Sequence, residues 1–92
     1  MKILNLKYIV IEVESINDNP DLLGWTNHIE QTIKIRRDLS EDRKKVVLLH
    51  EVLHCIFQQL GFIDEHDNEQ LIESLSTAFY QVLIDNPVTW IS

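Results

Sequence analysis

Residues 40–61 read SEDRKKVVLLHEVLHCIFQQLG, and the spacing of their apolar side chains decides the fold. Val46, Leu49, Leu53, Ile56, Phe57 and Leu60 recur every three or four residues, the period of an α-helix with one face on a core. Ser40 offers a side-chain oxygen as N-cap, and Glu41 and Asp42 fall in the first turn, where the helix dipole favours negative charge. Gly61 stands where helices commonly stop. A helix of about twenty residues is expected.

Upstream, Thr32-Ile33-Lys34-Ile35-Arg36 alternates polar and apolar residues, the period of a strand with one face buried. Ser15 to Gly24 is dense in turn formers and reads as a loop, and Trp25 to His28 as a short strand. The β-branched and aromatic run from Lys2 to Glu14 reads as one further strand. Downstream, the polar segment Asp64 to Asn68 precedes a second amphipathic pattern at Leu71, Ile72, Leu75, Ala78, Phe79, Val82 and Leu83, which Pro87 ends. The expectation is a single α+β domain over residues 1–92, strands followed by two helices, with Trp25 and Trp90 as large anchors near its two ends.

Composition agrees with a folded chain. Forty-five per cent of the 92 residues are hydrophobic, and only two glycines and two prolines interrupt them, so disordered and low-complexity readings are excluded. A net charge of −7 repels phosphate backbones, so no nucleic-acid partner is expected. Six of the eight basic residues nevertheless fall between Lys34 and Lys45, a window reading as solvated strand and helix ends. The lone Cys55 cannot form an internal disulfide and reads as a small buried hydrophobe, which fits a cytoplasmic protein. The N-terminal apolar run is broken by Asn5, Lys7 and Glu12, so neither a signal peptide nor a membrane span is expected.

The chemistry lies mid-helix, where His50-Glu51-Val52-Leu53-His54 forms an H-E-x-x-H string. Residues four apart differ by about 400° of rotation and about 6 Å of rise, so both imidazoles project from one face and can converge on one ion. The expected metal is Zn2+. Glu51, one position round the helix, can reach a water without occupying a coordination position, which makes it the candidate general base. A hydrolytic zinc wants a third protein ligand and one open position. Glu73 shares a stripe with Ser76, Thr77 and Tyr80 on the second helix, but measured from Leu75 it falls on the far side of the apolar face. The residues alone leave the third ligand open among Glu73, His66, Asp64 and Glu69. Tyr80, His66 and His28 are the candidate donors to a developing oxyanion.

From Gly24 to Pro87 the chain resembles the ImmA/IrrE-like zinc metallopeptidases, in particular the short versions encoded in phages and prophages. The resemblance rests on Gly24, on the strand Gln31-Thr32-Ile33-Lys34-Ile35, on Leu48-Leu49-His50-Glu51-Val52-Leu53-His54, and on a last helix from Glu73 to Leu83 followed by Asp85-Asn86-Pro87. It implies a mini-zincin: a short antiparallel sheet packed on an active-site helix, then a helix that supplies a glutamate. Carried over position by position, His50 and His54 are zinc ligands, Glu51 the catalytic base and Glu73 the third ligand. The small residue that the family has three positions after its glutamate is matched by Ser76, and the aromatic or leucine at six by Phe79. Leu53 stands where relatives commonly have glycine.

The expectation is therefore a zinc-dependent peptidase whose substrate is a peptide or protein. The alternative is a module in which zinc staples the helices and the acidic surface binds a host or phage protein without chemistry. The fourth coordination position separates the two: a water in a groove favours catalysis, a side chain or apolar cover favours structure.

Overall fold

Ser40 caps the central helix as its sequence requires: its side chain accepts a hydrogen bond from the Arg43 backbone N–H at 3.2 Å. In the computed structural model, which describes residues 1–86, this helix (α1) spans Glu41–Gln59. It ends in a Schellman motif. Gly61 takes φ 82°, its N–H bonds to the Gln58 carbonyl at 3.1 Å, and the Phe62 N–H bonds to the Phe57 carbonyl at 2.8 Å. The Phe57 and Phe62 rings then meet edge to face, the apolar contact that accompanies such a cap.

The chain before α1 forms five short strands: β1 (Lys2–Ile3), β2 (Leu6–Lys7), β3 (Ile9–Val13), β4 (Gly24–Asn27) and β5 (Thr32–Arg36). Where one strand was expected over Lys2 to Glu14, there are three, because Leu4 turns the chain at φ 51° and folds β1 back on β2 as an antiparallel hairpin. The second sheet has the order β3-β5-β4 and is mixed. β4 and β5 form an antiparallel hairpin, whose turn is held by the Asn27 side chain accepting the Ile29 and Glu30 N–H groups at 3.0 and 2.9 Å. β3 pairs parallel to β5, which corrects the expectation of an antiparallel sheet. The physical reason lies in the connection: the loop from Glu14 to Leu23 and β4 together bring the chain back to the start of the sheet, so β5 runs alongside β3 in the same direction.

The alternation read in β5 is realised, with Ile33 and Ile35 buried between polar neighbours. They join Ile3, Tyr8 and Cys55 in the core, against Val47, Leu48, Val52 and Ile56 of α1. Cys55 is fully buried, and burial pushes its thiol pKa up to about 11.

After α1 come a single-turn helix, α2 (Ile63–His66), and α3 (Glu69–Asp85), capped by Asn68 accepting the Leu71 N–H at 3.0 Å. α3 lies against α1 through Ile72 and Ser76, both fully buried, while Phe79, Val82 and Leu83 are exposed. The inward stripe is thus narrower than the sequence pattern suggests and is centred on Ile72 and Ser76. The small Ser76 donates its hydroxyl to the Glu73 carbonyl at 3.0 Å, and the Glu73 side chain reaches His50 of α1, so Glu73 sits at the edge of the contact rather than behind it. Pro87 and Trp90 lie outside the described residues. Among the described residues no helix is long and apolar enough to cross a membrane.

The cations between Lys34 and Lys45 are mostly paired. Arg36 meets Asp38 at 2.6 Å, and Arg37 lies 3.6 Å from Glu14. Lys44 bridges Glu12 at 2.6 Å and Glu41 at 3.1 Å, joining α1 to β3. Lys34 lies over the Trp25 ring.

Candidate metal centre and catalytic cavity

The helical register of α1 brings His50 and His54 onto one face, and their Nε2 atoms lie 3.2 Å apart. Glu69, on the first turn of α3, reaches both: one carboxylate oxygen is 3.1 Å from Nε2 of His50, the other 2.9 Å from Nε2 of His54. Atoms held at 2.0–2.1 Å from a tetrahedral zinc are separated by about 3.3 Å, close to the spacing of the two Nε2 atoms, and one ligand atom from each of the three residues lies within 4.8 Å of the others. His50, His54 and Glu69 are therefore a group that can hold a metal ion.

Glu73, one turn beyond Glu69, addresses the opposite nitrogen of His50: its carboxylate oxygen is 3.0 Å from Nδ1. The structure thus brings both glutamates to the histidines in different places, Glu69 at the paired Nε2 atoms and Glu73 behind one ring. The family resemblance favours Glu73, and the residues alone leave Glu69 as one of several alternatives near the loop between the helices; because α3 begins at Glu69, the two glutamates instead stand on successive turns of one helix. His66 meets His54, with Nδ1 to Nδ1 at 3.3 Å. Asp64 is exposed on α2 and does not line the cavity beside the histidines.

That cavity, of about 500 Å³, is walled on one side by His50, Glu51 and His54 of α1 and on the other by Gly24, Trp25 and Thr26 of β4. Glu69, Glu73, His28 and His66 also line it. Glu51 is buried, at 8 % exposure, and its Oε1 accepts a hydrogen bond from Thr26 Oγ1 at 2.7 Å. This bond fixes the carboxylate in the cavity wall and leaves its second oxygen without a side-chain partner among the described residues. Thr26 was missed in the sequence; its signal was its place on β4, two residues after the glycine that lets this strand approach α1. Gly24 itself has no room for a side chain, since a Cβ there would stand 2.5 Å from Cγ1 of Val47.

The three proposed oxyanion donors are sorted by position. Tyr80 donates to Asp42 at 2.8 Å and lies outside the cavity. His28 and His66 both line it, with rings 5.4 Å apart. Burial first, then the neighbouring His66 and His54, hold His28 below the usual imidazole range, which favours its neutral form. Its Nδ1 lies 3.4 Å from the hydroxyl of the buried Tyr8.

Compared with protein-family models, with curated proteins and with solved structures, the chain finds no match in any of the three. The functional reading therefore rests on the site's own chemistry.

Proposed function

We propose that this protein is a zinc-dependent peptidase of mini-zincin architecture, resembling the short phage-type ImmA/IrrE-like metallopeptidases. The observation that carries the reading is the convergence of two imidazoles and a carboxylate beside a cavity whose wall holds Glu51. His50, His54 and Glu69 would hold the metal by this geometry. The family resemblance gives the third position to Glu73 instead, and the two assignments respond differently to substitution.

When bound, zinc lowers the pKa of a coordinated water towards 7 and polarises a carbonyl. The remaining work falls to the chain. Glu51, anchored through Oε1 by Thr26, presents its other oxygen to accept the proton of the attacking water. After the tetrahedral adduct forms, the same carboxyl returns that proton to the leaving amine, so no other group need change its charge. β4 supplies the substrate platform: it is the outer strand of the sheet, and Gly24, Trp25 and Thr26 border the cavity. An extended peptide can add to the edge of β4 that pairs with no strand among the described residues, by main-chain hydrogen bonds, which orients a scissile bond over α1 without demanding a particular side chain.

The test is Glu51→Gln in zinc-loaded protein incubated with unfolded casein. Retention of stoichiometric zinc together with loss of cleavage is expected. Cleavage at the wild-type rate contradicts the mechanism, and a wild type that binds zinc but cleaves nothing favours the zinc-stapled interaction module.

A further inference from the structure

His66 is the last residue of α2, and its ring stands edge-on to that of His54 with centroids 4.9 Å apart. Its Nδ1 faces two groups of the same residue: Nδ1 of His54 at 3.3 Å and the His54 carbonyl oxygen at 3.0 Å. A neutral imidazole carries one proton on its two nitrogens. If that proton is on Nδ1, His66 donates to the carbonyl; if it is on Nε2, Nδ1 is an acceptor for an N–H of His54. It cannot do both.

His54 decides between them. A histidine that commits the lone pair of Nε2 to a metal carries its own proton on Nδ1. That proton points at His66. We propose that His66 is the positioning residue of the metal site: with metal bound, its Nδ1 accepts the Nδ1–H of His54. This rests on the metal-binding reading above. The proton of His66 then resides on Nε2, the atom that lies 4.0 Å from the Asp67 carboxylate. The His54 carbonyl loses nothing essential, because in α1 it also accepts the helical N–H four residues on. Without metal, His66 is free to donate from Nδ1 to that carbonyl. Metal loading thus moves the proton of His66 from one ring nitrogen to the other with no change in charge.

The ring is held for this role from its other side. His28 packs against His66 at 5.4 Å and 64°, and is itself tied to Tyr8, which is 2 % exposed in the core. A continuous line of contacts therefore runs from the core through His28 and His66 to His54. His50 is served in the same manner, since Glu73 stands 3.0 Å from its Nδ1. Such outer partners fix which nitrogen faces the metal, and their loss typically lowers metal affinity by about 10–100-fold.

The experiment uses the full chain with ¹⁵N-labelled imidazoles, read by long-range ¹H–¹⁵N spectra before and after addition of zinc. The expected result is that zinc turns His66 into the Nε2–H form while His54 shows Nδ1–H. In parallel, zinc affinity is measured by competition with a chelator. His66→Asn places an amide oxygen where Nδ1 stands and should keep affinity within a few-fold, whereas His66→Phe, which keeps the ring but has no acceptor, should lose about 10–100-fold. A zinc-loaded wild type in which His66 keeps its Nδ1–H overturns the proposal, as does His66→Phe binding zinc as tightly as wild type. Failure of the wild type to bind zinc at all overturns the metal reading and this proposal with it.

Discussion

Thr26 Oγ1 donates to Glu51 Oε1 at 2.7 Å, a bond that ties the outer strand of the sheet to the helix bearing both histidines. It joins the proposed substrate platform to the proposed base, so the two elements cannot move independently. Thr26→Val keeps the side-chain shape but removes the donor, leaving a buried carboxylate oxygen without its partner. The expected stability loss is about 1–3 kcal/mol. Zinc content should be unchanged, because Thr26 touches no ligand. A thermal melt paired with metal analysis checks both; unchanged stability contradicts a structural role for the bond.

Glu69 and Glu73 separate by the chemistry of an amide. A glutamine oxygen still accepts an N–H but is a poor zinc ligand. Glu69→Gln should therefore weaken zinc binding severely, whereas Glu73→Gln should retain most of it and Glu73→Ala should lose about 10–100-fold. The absorption spectrum of the cobalt-substituted protein gives an independent reading, because it changes when a ligand is lost. The reverse pattern, with Glu73→Gln abolishing binding and Glu69→Gln tolerated, would give Glu73 the third position that the family resemblance implies.

Gly24 of β4 stands against Val47 and Glu51 of α1. In Gly24→Ala the new methyl group would stand 2.5 Å from Cγ1 of Val47 and 3.4 Å from Cγ of Glu51, so strand and helix must separate. Overpacking of this kind typically costs about 1–3 kcal/mol. Chemical denaturation should show that loss, and any hydrolytic activity should fall further than stability alone explains, since Glu51 and Thr26 are the groups displaced. Wild-type stability in Gly24→Ala would show that the strand shifts freely.

Cys55 offers a check on the core. Burial raises its thiol pKa to about 11, and the residue is fully shielded from solvent. A group with a raised pKa is protonated throughout the neutral range, and the thiol is a poor nucleophile. Iodoacetamide at about pH 8 should leave the folded protein unmodified and label it once after denaturation. Rapid labelling of the native chain would contradict the packing of Cys55 among Tyr8, Ile33 and Ile35.

What was legible in the sequence follows from how local each signal is. The cap at Ser40, the stop at Gly61 and the alternation at Ile33 and Ile35 each depend on a few neighbouring residues, and each element formed where expected. The Lys2 to Glu14 run was misread because its apolar content masked the turn at Leu4, where a left-handed conformation interrupts an otherwise strand-like composition. The parallel pairing of β3 with β5 is a long-range property, set by how the chain returns through β4, and no residue pattern announces it. The two histidines and Glu51 were readable because one helix fixes their spacing. The positions of Glu69 and His66 beside them were not, since they depend on how α2 and α3 sit against α1.

The central claim is that His50 and His54 bind a divalent metal with a carboxylate from α3. Elemental analysis of freshly purified protein, run beside His54→Ala, tests it most directly. One zinc per chain in the wild type and near none in the variant is the predicted result. Absence of stoichiometric metal from the wild type even after incubation with zinc, or equal zinc in both proteins, would contradict it.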